Sequence, residues 1–103
     1  MAIIYIAGPM TGLENFNRDN FNMTAVVLKS IVHAVLNPAL LPDGLTYGQY
    51  MKIGKAMLEC ADTIYLLEGW QDSPGATAEY YLAKRLGLEI STPESRKGGT
   101  SCP

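Results

Sequence analysis

Residues 61–87 read ADTIYLLEGWQDSPGATAEYYLAKRLG, and this stretch decides the fold. It opens on an apolar run, Thr63, Ile64, Tyr65, Leu66 and Leu67, with the composition and length of a buried strand. A glycine-containing loop follows, Glu68-Gly69-Trp70-Gln71-Asp72. Ser73 then reads as a helix N-cap. Pro74 suits the first helical position, where its missing N–H would have no partner anyway. The helix carries Glu79, Leu82, Ala83 and Leu86 at i, i+3, i+4 and i+7, and Gly87 supplies its C-terminal stop.

Glu79 is the oddity in that pattern. It occupies the apolar stripe, where spacing places a core residue. Two readings stand at this point. One is a solvated glutamate favoured by the positive end of the helix dipole. The other is a site carboxylate at the edge of the core, facing whatever lies above the strand ends. The helix start before it, with free N–H groups, suits an anion.

The rest of the chain alternates in the same way. Residues 2–7 (AIIYIA) form a continuous apolar run, expected of a central parallel strand covered on both faces. Gly8-Pro9-Met10-Thr11-Gly12 follows as a strand-to-helix loop, whose glycines let backbone approach a ligand; it matches neither GxGxxG nor a Walker loop. Residues 17–31 read as a helix, with Phe21, Ala25, Leu28 and Val32 on one face. Ala34-Val35-Leu36 reads as a second strand closed by Asn37-Pro38, and residues 38–45 (PALLPDGL) as a loop. Thr46-x-x-Gln49 is a capping-box signature. It starts a helix with Tyr50, Ile53, Met57 and Cys60 on one face. Leu88-Glu89-Ile90 makes a short final strand.

A β-α-β-α-β-α-β order predicts an α/β fold, a parallel sheet with helices on both faces. Right-handed crossovers favour a small flavodoxin-like or Rossmann-like three-layer sandwich with strand order 2-1-3-4. The first and third strands then lie side by side at the switch point. Their loops, residues 8–16 and 68–75, converge on one crevice that Glu79 faces.

Composition sets the bounds. The chain has 103 residues, 48% apolar, with a formal net charge of −2. That is one domain, expected over residues 1–91, with a polar Gly/Pro-rich tail from Thr92 to Pro103 expected to be disordered. The core is small, so oligomerisation would help stability. No basic stripe suggests nucleic-acid binding, no apolar run approaches a membrane span, and no leader pattern is visible. Cys60 and Cys102 form neither a disulfide framework nor a metal site. His33 lacks ligand-spaced partners and reads as a surface or satisfied histidine. The expectation is a cytoplasmic protein without cofactor or metal.

The combination of Tyr5-x-x-Gly8-Pro9-Met10-Thr11-Gly12, Asn37-Pro38, and Ala61-Asp62-x-Ile64-Tyr65-Leu66-Leu67-x-Gly69-Trp70-x-x-Ser73-x-Gly75-Ala76-x-x-Glu79-x-x-x-Ala83-x-x-Leu86-Gly87 resembles the nucleoside 2-deoxyribosyltransferase superfamily. The likeness is to its small branch of phage and bacterial domains, related to the 2′-deoxynucleoside 5′-monophosphate N-glycosidases, and it covers residues 2–91. The resemblance implies cleavage or transfer of the N-glycosidic bond of a deoxynucleoside or its monophosphate. By position it implies Glu79 as nucleophile and Tyr5 as the residue that positions it. Ser73 and Gly75 would bind a 5′-phosphate, Gly8, Pro9, Met10 and Gly12 would line the sugar pocket, and Trp70 would join the substrate-binding loop. It also implies a homo-oligomer.

One departure concerns the family's usual aspartate on the helix before the third strand, which handles the base proton. Here that position is Gly54. A glycine there makes room for a larger ligand or marks lost catalysis. Asp62 falls at the amino edge of the sheet, away from the crevice. Asp72, on the loop, is the candidate general acid. The alternative function is a nucleotide-binding protein without turnover, for sequestering or sensing.

Overall fold

The computed structural model describes residues 2–31 and 34–96. Four strands, β1 (Ile3–Ala7), β2 (Ala34–Leu36), β3 (Thr63–Leu66) and β4 (Glu89–Ser91), form one sheet in the order β2-β1-β3-β4. All three pairings are parallel, with Tyr5 opposite Leu36 on one side and Ile64 on the other. Three helices connect them: α1 (Arg18–Lys29), α2 (Tyr47–Glu59) and α3 (Pro74–Leu86). The architecture is the expected α/β three-layer sandwich.

The pleat of β1 divides the core in two. Ile4 and Ile6 point to one face and pack with Phe21, Ala25 and Leu28 of α1 and with Ala39 and Leu67. Tyr5 and Ala7 point to the other, among Leu58 of α2, Ile64 and Leu66 of β3, and Ala76 and Ala83 of α3. Alternation of side chains along a strand requires this split. It has a functional consequence: Tyr5, a polar residue in the central strand, is delivered to the α2–α3 side.

The helix termini follow the sequence. Thr46 and Gln49 close a reciprocal capping box on α2. Ser73 caps α3, Pro74 opens it, and Gly87 ends it with φ 78°. Asp62 sits at the amino edge of the sheet, where its Oδ2 accepts from the Ile3 N–H at 2.9 Å.

Some expected faces differ. On α2 the buried residues are Gly54 and Leu58, not the run ending in Cys60, which is exposed. On α3 the buried pair is Ala76 and Ala83, and Leu86 is exposed. The buried residues of α3 are both small, and on α2 Gly54 brings the helix backbone against Glu79 of α3 while Leu58 fills the core beside it. The loop after β1 contains a helical turn, Glu14–Asn17, in which Asn15, Phe16 and Asn17 have φ of 50°, 54° and 62°. Beyond β4 the described chain continues to residue 96. Thr92 and Ser95 cap a short turn through reciprocal bonds of 3.0 Å. Arg96 donates to the Leu66 carbonyl at 2.7 Å and stacks on the Tyr65 ring. Val32, His33, Cys102 and the remainder of the tail lie outside the described residues. Among the described residues, no helix is long and apolar enough to cross a membrane.

Candidate active site

At the carboxyl ends of β1, β2 and β3 a cavity of about 420 Å³ opens. Parallel sheets place ligand sites there because the connecting loops part where strand order reverses. The first and third strands do lie side by side.

Glu79 and Tyr5 meet in this cavity. The Tyr5 hydroxyl donates to Glu79 Oε2 at 2.7 Å. Glu79 reaches it from α3, two turns or less from the N-terminus, and Tyr5 reaches it from the middle of β1. Burial pushes the Glu79 carboxyl up from 4.5 to about 7, while the bond from Tyr5 acts in the opposite direction. The Tyr5 phenol is held well above its ordinary value, first by burial and then by the neighbouring carboxylate. Tyr5 therefore remains a protonated donor at physiological pH. The first-turn solvated reading of Glu79 does not describe this carboxylate.

Gly54 forms the third side of the arrangement. A Cβ at Gly54 would lie 2.5 Å from Glu79 Oε2 and 2.9 Å from the Tyr5 hydroxyl. The glycine thus makes room for the protein's own carboxylate, which corrects the expectation of space for a larger ligand. Oε2 is enclosed between Tyr5 and the α2 backbone.

Of the other expected residues, Gly8, Met10 and Ser73 line the cavity. Gly8 is also required by packing, since a Cβ there would fall 2.9 Å from Leu67 Cβ. Ser73 Oγ accepts from the Ala76 N–H at 3.2 Å. Gly75 is set against α2: its Cβ position is 3.3 Å from Met51 Sδ and 3.5 Å from the Tyr47 hydroxyl.

Five expected site residues do not line the cavity. Trp70 is buried in the core with its ring 4.7 Å from that of Tyr80. The turn Trp70–Asp72 rolls the indole under the loop instead of over it. The same turn leaves Asp72 exposed and off the cavity lining. Pro9 sits behind the loop, its carbonyl accepting from Asn17 Nδ2 at 2.9 Å. Gly12 is a turn residue with φ 83°, and Gly75 only backs onto lining residues.

Sequence reasoning missed the opposite wall. Tyr47, Tyr50 and Met51 from the first turn of α2, Leu41 and Asp43 from the loop after β2, and Phe16 and Arg18 before and at the start of α1 complete the cavity. Arg18 pairs with Asp43, and Tyr50 donates to the Pro42 carbonyl at 2.6 Å. The capping box at Thr46 was the available signal, because it fixes which α2 residues stand at the carboxyl edge. Among the described residues, no group of His, Cys, Asp and Glu side chains is arranged to hold a metal.

A family model, Domain of unknown function (DUF4406), matches residues 2–92. The chain belongs to the DUF4406 family. The match spans the whole sheet and α1, α2 and α3 of this DUF4406 domain, including Tyr5, Gly54 and Glu79. No curated protein matches it at a significant level.

Proposed function

We propose that this DUF4406 domain cleaves or transfers the N-glycosidic bond of 2′-deoxynucleosides or their 5′-monophosphates, with Glu79 as nucleophile. The observation that carries the reading is the 2.7 Å bond from the Tyr5 hydroxyl to Glu79 Oε2 inside a cavity of nucleoside size. The resemblance of Tyr5, Ser73 and Glu79 to the deoxyribosyltransferase pattern supports it.

The chemistry follows from the parts. Breaking an N-glycosidic bond develops positive charge at C1′. A carboxylate against the sugar stabilises that charge or bonds to C1′, as in retaining glycosidases. With Oε2 fixed by Tyr5 and Gly54, Oε1 is the oxygen left for C1′. Burial raises the basicity of the carboxylate and lowers its hydration, both of which favour attack. Water then gives hydrolysis, and a second base gives transfer. The N-terminus of α3, with Ser73, orients the 5′ end.

One observation favours a second reading, nucleotide binding without turnover: among the described residues, no carboxylate other than Glu79 and Asp43 lines the cavity. Incubation with a panel of deoxynucleosides and monophosphates, with chromatography for free base, separates the two. Base release supports the enzyme; binding by calorimetry without release supports the binding protein. The small core and the resemblance also support a homo-oligomer, which light scattering would show as a multiple of the 11.2 kDa chain.

A further inference from the structure

We propose that Arg18 and Asp43 read the edge of the ligand's base and select oxo bases, those with a carbonyl beside a ring N–H, over amino bases. The inference rests on the nucleoside reading above and assigns its specificity.

The sheet order sets the direction of the ligand. Across the crevice, the elements run from the loop after β2, through the loop after β1, to the β3–α3 loop. Glu79 and Ser73 occupy the α3 end, and Asp43 occupies the β2 end. With strands spaced ~4.8 Å apart, the two ends are separated by about two strand spacings. A nucleoside with C1′ at Glu79 and its 5′ end at Ser73 therefore extends its base towards Arg18 and Asp43.

The pair is built rather than incidental. Arg18 Nη2 donates to Asp43 Oδ1, and Nη1 donates to Asn15 Oδ1 at 3.4 Å. The guanidinium carbon lies 5.0 Å from the centroid of the Phe16 ring. Arg18 is only 24% exposed, whereas Asp43 is 76% exposed at the cavity mouth. The backbone that presents this group is strained: three successive non-glycine residues, Asn15, Phe16 and Asn17, are left-handed. Such conformations persist where surrounding structure enforces them, and they gather at functional sites. Here the Phe16 N–H bonds the Leu13 carbonyl and the Asn17 amide bonds the Pro9 carbonyl.

The chemistry gives the selection. Arginine is a donor only, with five N–H groups in a fixed fork, and an ionised carboxylate is an acceptor only. The ion pair uses one oxygen of Asp43 and leaves Oδ2 to accept. The site thus offers charged donors beside a charged acceptor. An oxo base presents the complement: a carbonyl oxygen for the guanidinium and a ring N–H for the carboxylate. An amino base carries the two groups in exchanged places: its exocyclic amine donates where the oxo base's carbonyl accepts, and its ring nitrogen accepts where the oxo base's N–H donates, so with the sugar held at Glu79 donor meets donor and acceptor meets acceptor. Arg18 is the single basic residue lining the cavity among the described residues.

The test is calorimetry on the full chain carrying Glu79→Gln, so that no turnover consumes ligand. The probes are 2′-deoxyguanosine, thymidine, 2′-deoxyadenosine and 2′-deoxycytidine. The first two should bind about tenfold or more tightly than the last two, the discrimination a paired base contact provides. Adding Arg18→Gln or Asp43→Asn should reduce that preference to within about twofold, with little change for the amino nucleosides. A merely structural pair would weaken all four alike, and that result overturns the proposal. Equal binding of the four before either substitution also overturns it, while leaving the nucleoside reading intact. If neither the four nucleosides nor their 5′-monophosphates bind, and none releases base with the unsubstituted chain, the nucleoside reading falls and this inference with it.

Discussion

Gly54 of α2 lies so close to Glu79 of α3 that a methyl group in place of its hydrogen would stand 2.5 Å from the carboxylate. This contact turns a departure from a familiar pattern into a structural requirement. A side chain at 54 and the Tyr5–Glu79 bond compete for the same space.

Gly54→Ala is therefore expected to divide stability from function. Alanine gains ~1 kcal/mol of helix propensity. Displacing the carboxylate from Tyr5 forfeits a charged hydrogen bond worth ~1.5–3 kcal/mol. Net stability should fall by roughly 1 kcal/mol. Base release should fall ~10²-fold, the effect of an ångström-scale misplacement. Gly54→Asp should be worse still, since it adds a second carboxylate against the first. Unchanged base release with Gly54→Ala would show that Glu79 tolerates displacement.

The pH dependence of base release should report Glu79. As a nucleophile it must be ionised, and burial sets its pKa at about 7. The rate should rise with pH through that value. Tyr5→Phe removes the bond that opposes burial, so the limb should move to higher pH and the maximal rate should drop. A limb in the same place with and without the Tyr5 hydroxyl would assign it to another group.

Stability should show the same group with the opposite sense. The folded-state pKa is raised from 4.5 to about 7, so the folded chain holds the proton more tightly than the unfolded one. Stability is then greatest below 4.5 and declines as pH rises through 7. The decline is at most about 3 kcal/mol at 1.36 kcal/mol per pKa unit, reduced by the solvent that still reaches the group. Glu79→Gln should flatten this slope in denaturant titrations across the same pH range.

Ser73→Ala should act in two places. Loss of the N-cap to Ala76 should cost about 1 kcal/mol of stability. If the α3 N-terminus holds a 5′-phosphate, monophosphate binding should weaken while nucleoside binding stays nearly unchanged. Equal weakening of both ligands in calorimetry would remove the phosphate from this helix start.

The fold was legible because its signals are local. The apolar run at Thr63, the Ser73-Pro74 start, the Gly87 stop and the Thr46 capping box each depend on neighbours within one turn. Strand order followed from alternation and crossover handedness. Half of the site was legible for the same reason, since Glu79 broke a periodic stripe. The remainder was not. Trp70 and Asp72 sit in a turn whose direction decides whether a side chain enters the cavity or the core, and sequence does not fix that direction. Arg18 and Asp43 are 25 positions apart, and nothing local distinguishes them from surface charges. The closeness of Gly54 to Glu79 is a product of α2 packing on α3, visible only once the helices are placed.

The most direct test of Glu79 as nucleophile is intact-protein mass spectrometry after rapid quenching with a slow deoxynucleoside substrate, followed by peptide mapping. The account predicts free base in solution and a mass gain of one deoxyribosyl group mapped to Glu79, absent in Glu79→Gln. Base release with no adduct on Glu79, or undiminished release by Glu79→Gln, would contradict it.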